Sequence, residues 1–170
     1  MVEQFLNTLD ERTFSWHGQK RVASDALTSV EALSAWLEEH GLVAGGQELR
    51  PSDLAAAVAL RAALREALTA GTHGTQAVQA LACFPLRLEP DSSGRLRIAA
   101  AGGVAGLDVL VETVAASVAG GGWNRLKLCS AADCRWAFYD TSRNGGGRWC
   151  SMEACGNRHK TRAYRRRQAD

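Results

Sequence analysis

The sequence predicts an α+β fold, in which a mainly helical N-terminal domain with one β-hairpin precedes a small C-terminal module. Three observations lead to this prediction. Apolar residues recur at helical spacing through most of residues 1–122, two short segments near residue 90 alternate apolar with charged residues, and four of the five cysteines lie within residues 123–170. Three glycines at residues 120–122 interrupt the most hydrophobic region, so we place the boundary between the two parts there.

Helical periodicity predicts five helices before that boundary. They cover residues 5–9, 28–41, 51–71, 78–81 and 107–119. Thr28 opens the second helix, Glu31 completes a capping box with it, and Gly41 ends this helix. Pro51 lies in the first turn of the third helix, where a missing N–H costs nothing. Because these helices carry stripes of Leu and Val, we expect them to share one core.

A β-hairpin is predicted between the fourth and fifth helices. Residues 86–89 and 95–98 each alternate an apolar with a charged residue, which is the period of a β-strand. Residues 90–94, Pro-Asp-Ser-Ser-Gly, are typical of a turn. No run of apolar residues reaches the length of a transmembrane helix, so we expect no membrane association.

Four cysteines in the C-terminal module have the spacing of a metal site. Cys129 and Cys134 are separated by four residues, and Cys150 and Cys155 repeat that gap fifteen residues later. Two such pairs can supply the four sulfur ligands of a tetrahedral structural Zn²⁺ site. Disulfides are the alternative, but the N-terminus lacks the basic and apolar regions of a secretion signal. We therefore expect zinc in a cytoplasmic protein.

A hairpin between the two cysteine pairs, with residues 136–139 and 148–150 as its strands, would make this a zinc-ribbon or treble-clef-like module. Residues 123–128 are predicted as a strand that couples the module to the N-terminal domain. The aromatic residues of the module are expected in its core, except that Tyr139 is the best candidate for an exposed position. They are Trp136, Phe138, Tyr139 and Trp149.

Charge is divided unequally between the two parts of the chain. Residues 1–122 hold 9 Lys and Arg against 14 Asp and Glu, whereas residues 123–170 hold 11 against 4. A basic helix is predicted directly after Cys155, and its charge favours a nucleic acid, either duplex DNA or RNA, as the partner. The predicted contact residues are Arg143, Arg148, Arg158, Lys160, Arg162, Arg165, Arg166 and Arg167. RNA binding and a protein-interaction module remain alternatives.

Arg158 has two interpretations. In the first turn of the basic helix, its guanidinium could make a bidentate contact to phosphate or guanine. Alternatively, it could tie the helix to the second cysteine pair through hydrogen bonds to backbone carbonyls.

Parts of the sequence resemble a known family. Cys155-Gly156-Asn157-Arg158 is similar to the signature of the CGNR zinc finger, residues 135–144 and 148–152 resemble the rest of that module, and residues 5–10 resemble the opening motif of the ABATE domain. The resemblance implies a bacterial DNA-binding transcription regulator, whose N-terminal domain would sense a small-molecule ligand or a partner. Residues 145–147 are glycines where members often carry basic residues, which shifts the expected contacts to Arg143, Arg148 and the helix.

An enzymatic function is not expected. Four protein ligands would leave zinc no open position for an activated water. Cys83 stands in an apolar setting and is predicted to be a packed core thiol. The histidines at 17, 40 and 73 have no partners at a recognisable spacing and are predicted at the surface. His159 could replace a cysteine as ligand, although four cysteines make this unnecessary.

Overall fold

The computed structural model of the protein describes residues 1–69, 79 and 81–169. Its helices are α1 Val2–Leu6, α2 Val30–Glu39, α3 Pro51–Ala67, α4 Ala105–Ala119 and α5 Asn157–Ala169. Its strands are β1 Leu9–Asp10, β2 Ser15–Trp16, β3 Gln19–Lys20, β4 Ser24–Asp25, β5 Leu86–Pro90, β6 Leu96–Ala100, β7 Leu126–Leu128 and β8 Ala137–Tyr139. A short 3₁₀ helix, Gly122–Arg125, and one π-helical turn, Met152–Gly156, complete the elements. The predicted α+β class is confirmed.

The main core lies between the first four helices and extends into the C-terminal module. Phe5, Leu33 and Leu37 are fully buried there, together with residues of α3 and α4. Leu126 of β7 and Ala137 of β8 belong to the same buried cluster. Residues on both sides of the predicted boundary at residue 122 therefore contribute to one core. The boundary itself stays a prediction.

Residues 9–25 form two small strand pairs that the sequence analysis did not predict. β1 pairs with β4 and β2 with β3, both antiparallel, so Leu9 lies in a strand rather than in the first helix. Two buried arginines of α3 hold this segment in place. Arg61 donates to Thr8 Oγ1 at 2.8 Å and to both carboxylate oxygens of Asp25, and Arg65 donates to the Leu6 carbonyl at 2.9 Å.

The predicted helices are confirmed where the structure describes them, with corrections at their ends. The α2 helix begins after Ser29, whose hydroxyl accepts from the Ala32 N–H at 3.2 Å, so Ser29 and not Thr28 is its cap. Pro51 is the first residue of α3, as predicted, but α3 ends at Ala67. The fourth predicted helix lies largely outside the described residues. Among those that are described, no helix is both long and apolar enough to cross a membrane.

The predicted hairpin is confirmed as β5 and β6, with Leu88 opposite Ile98. In the C-terminal module, the predicted strand pairing is wrong. β8 pairs with β7, which precedes the first cysteine pair, and residues 148–150 form no strand. The reason is that Leu126 and Ala137 share the main core, so β8 is held next to β7 by burial as well as by hydrogen bonds. Tyr139 is 49% exposed, as predicted for this residue.

Candidate metal centre and basic helix

The four predicted cysteine ligands come together at one point. The sulfur atoms of Cys129, Cys134, Cys150 and Cys155 all lie within 4.8 Å of one another. Cys134 Sγ is 3.6 Å from Cys150 Sγ, which in turn is 3.8 Å from Cys155 Sγ. Tetrahedral sulfur ligands at the usual Zn–S distance of about 2.3 Å are themselves about 3.8 Å apart. The cluster therefore has the dimensions of a tetrahedral metal site.

Local backbone turns present each cysteine pair. In the first pair, the Cys134 N–H donates to the Ala131 carbonyl at 2.9 Å, and Arg135 follows with a φ of 49° that reverses the chain. In the second pair, the Cys155 N–H donates to the Ser151 carbonyl at 3.0 Å, and the Ser151 hydroxyl accepts from the Ala154 N–H. The two pairs thus form compact, hydrogen-bonded turns around one centre.

The thiols of the cluster influence one another's ionisation. Hydrogen bonds from Cys134 and Cys150 lower the pKa of the Cys129 thiol, since they stabilise its thiolate. The ionised Cys129 in turn raises the pKa of the Cys134 and Cys150 thiols. Four sulfurs this close together cannot all be ionised without a positive charge between them, whereas a divalent cation would favour the thiolate form of every one.

Two arginines place positive charge beside the cluster, one from each part of the chain. The Arg12 guanidinium lies 3.8 Å above the Trp136 ring and is held by Asp10 at 2.6 Å. The bond to Asp10 raises the pKa of Arg12, and negative charge at the cysteine cluster adds to this effect. Arg158 Nη2 lies 3.4 Å from Cys155 Sγ. Since four thiolates around Zn²⁺ carry two net negative charges, these arginines would compensate them.

The N-terminal part also supplies apolar cover for the cluster. Phe14 is buried against Cys129, Cys134 and Cys155, and the Arg158 guanidinium stacks on its ring at 3.6 Å. The Thr13 N–H donates to the Asp133 carbonyl at 3.1 Å. This contribution was missed by the sequence analysis, because no pattern in residues 11–16 indicates what they contact.

Asn7 joins the two parts in a similar way. Its side-chain amide donates to the Ala137 carbonyl at 2.9 Å and accepts from the Ala137 N–H at 2.8 Å. The side chain thus satisfies both polar groups of one residue of β8, as a neighbouring strand would. Asn7 belongs to the motif at residues 5–10 through which the chain resembles the ABATE domain. That resemblance is the sequence feature from which a role of Asn7 could have been predicted.

The glycine loop at residues 145–147 has a structural role. A Cβ at Gly147 would lie 2.7 Å from Asp140 Oδ1, and Gly145 has a φ of 59°. Asp140 is buried and accepts from the Gly147 N–H at 2.7 Å, while Lys127 Nζ contacts Asp140 and the carbonyls of Gly145 and Gly147. Larger residues at position 147 would not fit this arrangement.

The basic helix is present as α5, and it leaves the second cysteine pair as predicted. Among the predicted contact residues, the exposed ones are Arg143, Arg148, Lys160, Arg162, Arg165, Arg166 and Arg167. Arg162 donates one hydrogen bond to Asp133 Oδ2 at 3.0 Å, yet its side chain is 63% exposed. Arg158, His159, Arg162, Arg165 and Arg166 line a groove of 470 Å³ between the first cysteine pair and α5.

Arg158 differs from the other predicted contact residues because its guanidinium points into the protein. It donates to both carboxylate oxygens of Asp133, at 2.7 and 3.1 Å. Burial alone would raise the pKa of Asp133, but the hydrogen bonds from Arg158 and Arg162 hold it below its ordinary value. The structural interpretation of Arg158 is therefore favoured, with a carboxylate rather than backbone carbonyls as its partner.

The remaining candidates lie away from the sulfur cluster. His159 is exposed and packs on the Trp149 ring at 4.7 Å, outside the group of four ligand atoms. His17 is exposed as predicted, whereas His40 is half-buried and stacks on Trp36. Cys83 is exposed, so its prediction as a packed core thiol is wrong. Its apolar sequence neighbours did not reveal which way its own side chain faces. His73 lies outside the described residues.

Comparison with known families agrees with this geometry. The family model of the CGNR zinc finger matches residues 125–168. The ABATE family model, described as "Putative stress-induced transcription regulator", matches residues 1–121. A search of curated proteins finds no match. Both resemblances noted in the sequence are thus confirmed.

Proposed function

Because the chain belongs to the ABATE family and carries a CGNR zinc finger, we propose that it is a bacterial, cytoplasmic transcription regulator that binds zinc through its four clustered cysteines and duplex DNA through α5. The zinc ion would have a structural role. Four protein ligands would complete its shell, so no position would remain for an activated water. We accordingly propose no enzymatic activity.

The choice of zinc is supported by the sulfur cluster and its surroundings. Four sulfur ligands at tetrahedral distances are typical of structural zinc sites in small modules. The module after residue 122 is too short to bury a large core of its own, so metal binding would supply part of its folding free energy. Zinc would join the turn at Cys129 and Cys134 to the turn from which α5 begins.

The exposed positive charge of α5 is the observation that supports DNA binding. Lys160, Arg165, Arg166 and Arg167 are exposed and form no ion pair with any residue that the structure describes. Such unpaired cations gain most from a phosphate backbone, because binding releases the counterions condensed on DNA. The helix is also fixed at its start by the second cysteine pair, so its charges have a defined orientation.

The test compares binding of the zinc-loaded chain to duplex DNA with that of a variant in which Arg165, Arg166 and Arg167 are replaced by Gln. We expect weaker binding to all duplexes and a salt slope lower by roughly two to three units, following about 0.9 per phosphate contact. A control with Lys20, Arg21 and Arg95 replaced by Gln has the same net charge, but its changes lie in exposed N-terminal positions.

Three outcomes separate the candidate functions. Equal binding of DNA by the parent and the α5 variant would refute the role of this helix. Tighter binding to structured RNA than to duplex DNA would favour the RNA alternative. If neither polyanion binds, the zinc finger would instead be a protein-interaction module.

A sensing role of the N-terminal domain has support in an apolar groove of 450 Å³ beside α4. Leu64, Phe84, Ile98 and Val114 are among the residues that line this groove. Since its lining is almost entirely apolar, a regulatory ligand bound there would be an apolar small molecule.

A further inference from the structure

Four uncharged side chains of α5 form a strip along one face of the helix. We propose that this strip reads base edges in the major groove of duplex DNA, an inference that rests on the proposed function. Its residues are Asn157, Thr161, Tyr164 and Gln168.

Asn157 is the first residue of the strip, and its side chain has no partner among the described residues. Each of its neighbours in the Cys-Gly-Asn-Arg segment has an internal role. Cys155 belongs to the sulfur cluster, Gly156 is buried where a Cβ would lie 2.7 Å from Met152 Sδ, and Arg158 binds Asp133. The Asn157 side chain is exposed and forms no hydrogen bond with the described residues. An amide held beside a rigid turn, with both polar atoms free, is well placed to bind a ligand outside the protein.

The other three residues lie on the same face as Asn157. Successive steps of four, three and four residues along an α-helix keep side chains within a narrow stripe. All four are exposed, and Tyr164 shows 58% of its surface. Between residues 160 and 168, every side chain except Ala163 is exposed. The outer part of α5 is therefore accessible over most of its circumference, as a helix that enters a DNA groove must be.

Cations flank the strip on both sides. At 100° per residue, Lys160 and Arg167 lie on one flank and Arg165 lies on the other, whereas Arg162 lies further round the helix and bonds Asp133. A helix in the major groove has the base edges in front of it and one phosphate backbone on each side. The helix has 13 residues, so it is about 20 Å long and can cross this groove. Uncharged residues with a cation on either side match that environment.

The chemistry of the strip favours sites that contain A·T pairs. The amides of Asn157 and Gln168 can each donate to and accept from adenine in a bidentate contact. Thr161 already donates its hydroxyl proton to the Asn157 carbonyl at 3.0 Å, which leaves its methyl group for the thymine methyl. The Tyr164 ring can make a similar apolar contact. Double-stranded RNA is a poor partner for such a strip, because its major groove is too narrow to admit side chains.

The experiment selects bound sequences from a duplex DNA library with a randomised central segment, using the full zinc-loaded chain. It then compares the parent with Asn157→Ala and Gln168→Ala. We expect each variant to lose roughly 5- to 150-fold of preference at one or two base pairs. The salt slope should stay unchanged, because neither substitution removes a charge. Gln19→Ala, an exposed change on β3, is the matched control and should keep the full preference.

Zinc content and thermal melting of each variant show whether it is folded. Since both substituted side chains are exposed and Asn157 has no internal partner, folding should be preserved. If the parent selects a motif and both variants retain it, the strip does not read bases, although DNA binding stands. Duplex binding without any sequence preference would overturn this inference in the same way. If the parent binds no duplex at all, the proposed function fails and this inference fails with it.

Discussion

The dependence of the cysteine cluster on the N-terminal part can be tested at Phe14. This side chain is 8% exposed and packs against Cys129, Cys134 and Cys155. Its ring also supports the Arg158 guanidinium, whose centre lies 3.6 Å from the ring centroid. In Phe14→Ala the sulfur cluster would lose its apolar cover, and Arg158 would lose the surface on which it stacks.

The size of the effect follows from these contacts. Removing a buried Phe side chain lowers the free energy of unfolding by about 3–5 kcal/mol. For a chain of this size, about 3–5 kcal/mol corresponds to a decrease in Tm on the order of 6–20 °C. Phe14→Leu retains most of the volume and should lose less than about 1.5 kcal/mol.

The assay is thermal unfolding of the zinc-loaded chain, combined with the rate at which a chelator removes the metal. We expect Phe14→Ala to melt at a lower temperature and to release zinc faster, since the cluster is opened to water. Phe14→Leu should lie close to the parent in both measurements. If Phe14→Ala melts and releases metal as the parent does, the zinc finger is independent of residues 11–16 and the reasoning is refuted.

Three further predictions concern the metal, the glycine loop and acid stability. Elemental analysis should find one zinc ion per chain in the parent and none in Cys150→Ser, because only three sulfur ligands remain. Gly147→Ala should lower the free energy of unfolding by about 1–3 kcal/mol, since its Cβ would lie 2.7 Å from Asp140 Oδ1. Hydrogen bonding from Lys127 holds the pKa of Asp140 well below its ordinary value. The resulting stabilisation is present above about pH 4 and is lost as the pH falls further, so the stability difference between the parent and Asp140→Asn should shrink with acidification.

Each of these predictions has a control. Cys83→Ser should keep the metal, because Cys83 is outside the sulfur cluster, and equal zinc in the Cys83 and Cys150 variants would contradict the ligand assignment. Gly146→Ala should change stability by less than about 0.5 kcal/mol, as nothing lies within 4 Å of the added Cβ. An equal loss in both glycine variants would count against the contact at Asp140. Denaturant unfolding at several pH values measures the Asp140 effect, and a difference that stays constant with pH would refute it.

Local sequence signals were sufficient for most of the helices, for the β5–β6 hairpin and for the grouping of the four cysteines. The spacing of Leu and Val residues predicted the helices of the N-terminal part, because a helical stripe requires only near neighbours in sequence. The two equal gaps between cysteines predicted the four ligands for the same reason. In each pair, residues a few positions apart can reach one ion through a single turn. These predictions depend on interactions within a short stretch of chain.

Strand pairing in the C-terminal module was decided by tertiary structure. Both β7 and residues 148–150 were plausible partners of β8, and strand composition could not distinguish them. The pairing with β7 depends on burial of Leu126 and Ala137 in the main core, which forms only when α1 and α4 are in place. Cys83 shows the same limitation, since the apolar residues beside it do not determine the direction of its side chain.

The sequence by itself determined the fold class, the four cysteines that cluster and the basic helix, since each follows from residue types at short, regular intervals. Only the tertiary structure showed that Asn7, Arg12 and Phe14 complete the surroundings of the cysteine cluster, and that Arg158 binds Asp133. These contacts join residues that are 25 to 130 positions apart in the chain. No local sequence pattern indicates such contacts, because the two residues of each pair are brought together by packing of the two parts of the chain around a shared core.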